Sequence, residues 1–244
     1  MILPEVRASF SRDDAQRLVY LLERSGEDRA ALEREASERG IDPLLDHPAL
    51  AEVLLEGPAI SRLPLSLVSY VLLRRSLLDA GVDSRLLADY VTSLFLRFAD
   101  TSRAYRVTGI DDDEVHYLVD ILAEMSDSQG RRGFLLRAHL GNFSLWIAGL
   151  FPDWVTHRVH RKGGPDLSYY EEMGQTGFAL AAEDPFARRE RLDALYRDAA
   201  RAFVPMRRAL NAFSDRYLTP AAASPDDRLL RQVSDAFDDD WLQA

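Results

Sequence analysis

The 244-residue chain contains no cysteine. That excludes a disulfide scaffold, a zinc ribbon and a thiol nucleophile, because all three need sulfur. Lysine is nearly missing too: of 30 basic residues only Lys162 is lysine. The arginine skew reads as coding bias and not as a design for phosphate binding. No stretch sustains the period-two alternation of a half-buried strand. No apolar run reaches the ~20 residues that a bilayer span requires. The two most apolar windows, 63–78 and 134–151, are broken by Arg74 and Arg75 and by Arg137, His139 and Asn142. Met1 to Val6 lack the basic and apolar regions of a signal peptide, so a cytoplasmic location is expected. The chain has no glycine-rich phosphate loop, no nucleophile elbow and no His-Glu-x-x-His.

What is present points to helices. Hydrophobic residues make up 47% of the chain, enough for a sizeable core and too many for global disorder. Apolar residues recur at helical spacing almost throughout, with start and stop signals between them. Ser11 with Asp13 and Asp14 starts one helix that stops near Gly26, and a charged helix runs from Glu27 to Gly40. Further helices are predicted from Pro48 to Gly57, from Pro64 to Gly81 and from Ser84 to about Arg103. In the second half, Asp111 to Glu114 place carboxylates at a helix start, where the macrodipole favours them. Ser128 precedes an apolar helix to Leu150, Pro152 opens a short basic one, and Ser168 caps the next. Pro185 begins the longest pattern, reaching Tyr217, with a kink expected at Pro205. The predicted architecture is an all-α multi-helix bundle of about ten helices without β-sheet. Residues 1–218 form one helical domain, with 1–57 a candidate charged N-terminal subdomain. Residues 219–225 read as a hinge and 226–244 as a C-terminal amphipathic helix.

The net charge of −10 argues against a nucleic-acid coat. Its distribution says more. Residues 1–57 carry net −6, and 111–128 hold seven acids and no base; 129–164 follow with six bases and one acid. In an antiparallel hairpin the last two blocks would compensate each other. Alternatively His157, Arg158, His160, Arg161 and Lys162 face solvent and bind an anion or an acidic partner.

The helix from Phe134 to Leu150 is the main place for a site. It is apolar nearly all round, so His139 and Asn142 are polar groups in or near a core and require hydrogen bonds. Either they fix helix register, or they line a ligand pocket with Trp146 as its wall and Tyr169 or Tyr170 nearby. Gly141 allows a helix or a ligand to approach. Asp112, His116 and Asp120 share a helix stripe, but beside the apolar face, as a solvated acidic surface would. Neither a Glu-x-x-His pair for a dinuclear site nor a second internal aspartate-rich run accompanies them. Arg132 and His139 match an arginine–histidine spacing that chance alone supplies among so many arginines. No metal or cofactor is implied.

These features lean away from an enzyme. They fit a helical interaction or scaffold protein acting through 130–182 and the C-terminal helix, with protein partners, self or other. The alternative is a small-ligand-binding protein or enzyme with its pocket at His139, Asn142 and Trp146.

Overall fold

The computed structural model describes residues 1–55, 63–99, 118–162 and 164–218, with no account of the side chains of 160–162. Every regular element among the described residues is helical, and the architecture is an all-α multi-helix bundle. After a 3-10 turn at Arg7–Ser9 come α1 (Arg12–Arg24), α2 (Arg29–Arg39), α3 (Asp42–Leu45), α4 (Leu50–Leu55), α5 (Leu65–Asp79) and α6 (Arg85–Phe98). The second half holds α7 (Leu118–Asp127), α8 (Gly130–Leu150), α9 (Pro152–Lys162), α10 (Leu167–Glu183), α11 (Pro185–Arg189), α12 (Asp193–Arg201) and α13 (Phe203–Phe213), closed by a π-helical turn at Ser214–Leu218. The predicted hinge and C-terminal helix lie outside the described residues, as do the aspartates and histidine of 111–116.

Local chemistry explains most helix ends. The Asp14 amide donates to the Ser11 hydroxyl at 3.2 Å, and the Ser11 amide donates to the Asp14 carboxylate at 2.8 Å. This capping box satisfies two amides that a helix start leaves without partners. Gly40 ends α2 at φ 77°, a left-handed conformation that costs glycine nothing. Ser168 is not the cap of α10. The Asp166 carboxylate takes that role, accepting from the Tyr169 amide at 2.9 Å and from the Ser168 hydroxyl at 2.8 Å. Nor does Ser128 cap α8, which follows Gln129 with no side-chain cap bond.

The predicted long helix from Pro185 to Tyr217 is three helices. The chain turns between α11 and α12 with Arg191 at φ 59°, and again at Ala202. The break at Ala202 lies within one turn before Pro205, where the missing amide and the ring oppose a continuous helix; Pro205 itself falls in the first turn of α13, where an amide would have no helical partner.

The core is built around α8. From Gly133 to Leu150 every residue of this helix except Arg137 is buried. Arg137 pairs with Asp184 at 2.6 Å. Helices α6, α7, α9, α10, α11 and α13 all pack on it. Each large apolar side chain it buries is worth about 1.5–3 kcal/mol, so packing and not intrinsic propensity holds it. Close approach of α10 depends on paired glycines: a Cβ on Gly177 would lie 2.6 Å from the Gly141 amide nitrogen. Gly141 thus admits a neighbouring helix.

Helices α1 to α4 cluster together and reach the rest through α4 and α5. A chain of charges strengthens the connection. Arg74 of α5, 1% exposed, donates to Asp46 at 2.8 Å and to Asp83 at 2.6 Å. Arg85 of α6 donates to the same Asp46 at 2.7 Å, and Arg7 grips Asp42.

Candidate functional site

The sequence-predicted ligand set separates into two groups. His139 and Asn142 lie on α8, each 4% exposed, and Trp146 one turn further is also buried. The Tyr90 hydroxyl donates to Asn142 Oδ1 at 2.5 Å. Burial pushes the Tyr90 phenol well above its ordinary pKa, and the nearby Tyr196 phenol adds to the shift. Tyr90 is therefore a fixed donor, and the bond ties α6 to α8 inside the core. His139 lies against the rings of Phe98 and Phe143, with centroids 6.1 Å away in each case. His139 and Asn142 share the wall of a cavity with Ile2, Phe98, Leu135 and Ala138. Its volume is about 20 Å³, room for one water molecule. Trp146 does not line this cavity; it packs on Phe95, Phe98 and Phe151.

Tyr169 and Tyr170 lie elsewhere, at the start of α10. Their rings meet edge to face at 6.3 Å. Tyr170 is buried, which raises its pKa, while Arg158 of α9 opposes the rise. These tyrosines therefore associate with the basic helix and not with the His139 cavity.

Helix α9 leaves α8 at an angle of 90°, at Phe151. Polar side chains from α13 and the turn after it make that corner possible. A helix leaves its last four carbonyls without helical partners. In α8 the Ile147 carbonyl accepts from the Phe151 amide at 3.0 Å. Asn211 Nδ2 donates to Ala148 O at 2.9 Å and to Gly149 O at 2.6 Å, and the Ser214 hydroxyl donates to Leu150 O at 3.1 Å. Asn211 is itself held by the buried Arg207, which donates to its Oδ1 at 2.7 Å and to Glu171 at 2.7 Å.

On α9 the inward stripe is Pro152, Val155 and the half-buried Val159. The other face carries Trp154, 45% exposed, and Phe151, three residues earlier at the corner, is 42% exposed. The Arg158 guanidinium stacks over the Trp154 ring at 4.7 Å, the geometry of a cation–π contact. His157 is exposed on the same helix. His160, Arg161 and Lys162 continue α9, with side chains outside the described residues. Trp154 and Phe151 were not among the predicted site residues. The available signal was a tryptophan lying off the apolar stripe of its own helix.

No group of three or more potential metal ligands occurs among the described residues, and no single helix there is long and apolar enough to cross a membrane. No protein-family model, curated protein or solved structure matches this chain.

Proposed function

We propose that this protein is a non-enzymatic helical interaction or scaffold module that contacts a protein partner through the corner between α8 and α9. The observation that carries the reading is the exposed Trp154 with Arg158 stacked upon it, three residues after the exposed Phe151 at the corner. Tryptophan and arginine dominate the energetics of interface centres. Full burial of a large apolar side chain is worth about 1.5–3 kcal/mol, and a partner surface that covers the exposed 45% of Trp154 recovers a part of that. The corner is also rigid, because the last carbonyls of α8 are all satisfied, so little ordering cost opposes binding. A second copy of the chain is a fitting partner: its segment 226–244 spaces Leu230, Val233, Phe237 and Trp241 at helical intervals, with Asp238 to Asp240 between the last two, complementary to a basic aromatic helix.

Sedimentation at graded concentration, with recovery of co-purifying protein, tests this. Trp154→Ser with Arg158→Ala should weaken association by about 30-fold, as removal of an interface anchor does. Unchanged mass and unchanged partners in that variant would end the proposal. Deletion of 226–244 separately tests the contribution of the terminal segment.

A pocket at His139, Asn142 and Trp146 is the second reading, supported by the cavity that His139 and Asn142 share. Ligand sites usually span about 300–1,000 Å³, so ligand entry there requires α6 and α8 to part. Saturating ligand would then raise stability by about 2–3 kcal/mol.

A further inference from the structure

A second feature lies across α10, α11 and α12, away from the exposed corner. Arg188, Arg197 and Arg201 line one open groove of about 480 Å³ whose floor is formed by Ala179, Ala182 and Ala200. Glu183 is the one carboxylate in the lining, and with Asp193, which pairs with Arg197, the groove carries net +1. Arg188 is anchored at the groove end, donating to the Glu183 carbonyl oxygen at 2.7 Å. Arg197 and Arg201 are one turn apart on α12, a like-charge i,i+4 pair that destabilises a free helix. The pair of Arg197 with Asp193 at 3.1 Å is half-exposed and open to competition from solvent. The alanine floor leaves space between the guanidiniums, each a planar fork that matches a phosphate oxygen pair.

We propose that this groove binds a small ligand bearing a diphosphate group, with Arg197 and Arg201 each taking one phosphoryl unit and Arg188 closing one end. The rise of about 6 Å between the two α12 arginine positions, with a third arginine in the same lining, suits two linked phosphoryl groups better than one.

Isothermal titration at low ionic strength with inorganic pyrophosphate, and in a separate arm with adenosine diphosphate, tests the site. Saturable one-to-one binding of either is expected; the tighter arm identifies a free or a nucleoside-linked diphosphate as the source. Arg197→Ala with Arg201→Ala should weaken binding by at least about tenfold. Arg189→Ala should leave it unchanged, since that side chain stacks on Phe186 outside the groove. Arg197→Gln with Arg201→Gln gives the same reading if the alanine variant does not fold. No saturable binding in either arm, or binding that survives the double substitution, overturns the proposal. So does equal affinity for inorganic sulfate, which marks a general oxyanion surface.

Discussion

Asn211 is a single side chain on which two helices depend. It satisfies two carbonyls at the end of α8 and offers its own oxygen to Arg207. Its loss leaves two buried carbonyls without that donor and takes an acceptor from a buried guanidinium. Each such group costs about 1–3 kcal/mol. Asn211→Ala should therefore lower unfolding free energy by about 3 kcal/mol in a urea titration; a change below about 1 kcal/mol would mean that water replaces the amide. Asp89 gives a residue-scale prediction with a pH sign. Burial raises its carboxyl above the ordinary 3.8, although the Arg7 amide donates to it and partly opposes the rise. The folded state then holds this proton at a pH where the unfolded chain has lost it. The contribution to stability is fully present below the unfolded value and declines as pH rises through the folded one. Asp89→Asn keeps the acceptor for Arg7 and removes the buried charge. Melting curves between about pH 3 and pH 7 should show the variant gaining on the parent as pH rises. A constant difference across that range would contradict the assignment.

Among the elements, α8 is the one whose role was most legible. A run from Phe134 to Leu150 with little polarity has to lie in a core, and it does. The partner across Gly141 was not legible, because the contact with Gly177 joins residues 36 apart, outside any local pattern. Overpacking there should cost about 1–3 kcal/mol, so Gly177→Ala should lower the melting temperature by several degrees. A neutral result would show that α10 can slide along α8. The break between α11 and α12 was also hidden, since nothing in the residues around Arg191 reads as a stop, whereas Pro205 announces the one at Ala202. Leu192 and Leu195 are both buried, and burying them fixes the turn. The predicted site residues fared according to range. His139 and Asn142 sit on one face of one helix and stay together; Tyr169 and Tyr170 belong to another helix and do not join them.

At the scale of the whole molecule, the ion pair of Arg74 with Asp46 connects the N-terminal helices to the main bundle, while Asp83, in the turn after α5, holds the same guanidinium. Removing one partner of a buried pair costs about 3–5 kcal/mol. Arg74→Ala should fall near the lower end, about 3 kcal/mol, because Asp46 keeps Arg85. The burial of Asp46 pulls its carboxyl up, but hydrogen bonds from Arg74 and Arg85 prevail and hold it below the ordinary range. All three tryptophans, at 146, 154 and 241, lie in the C-terminal part. Fluorescence thus reports on that part and far-ultraviolet circular dichroism on all helices. If the chain unfolds as one unit, both should shift together in Arg74→Ala. Separate transitions would identify 1–57 as an independent subdomain.

Helical class, the capping box at Ser11, the glycine stop at Gly40 and the buried character of α8 were determined by sequence alone. Each depends on interactions within a few residues, and such interactions are written in spacing and residue type. Tertiary structure alone decided which polar groups meet. Arg74 and Asp46 are 28 residues apart, Tyr90 and Asn142 are 52, and Asn211 reaches a carbonyl 63 positions earlier. The exposure of Trp154 belongs to the same class, because α9 shows that face only where α8 turns by 90°. Partners across such distances are chosen by how helices pack, and the charge or polarity of a side chain carries no record of that choice.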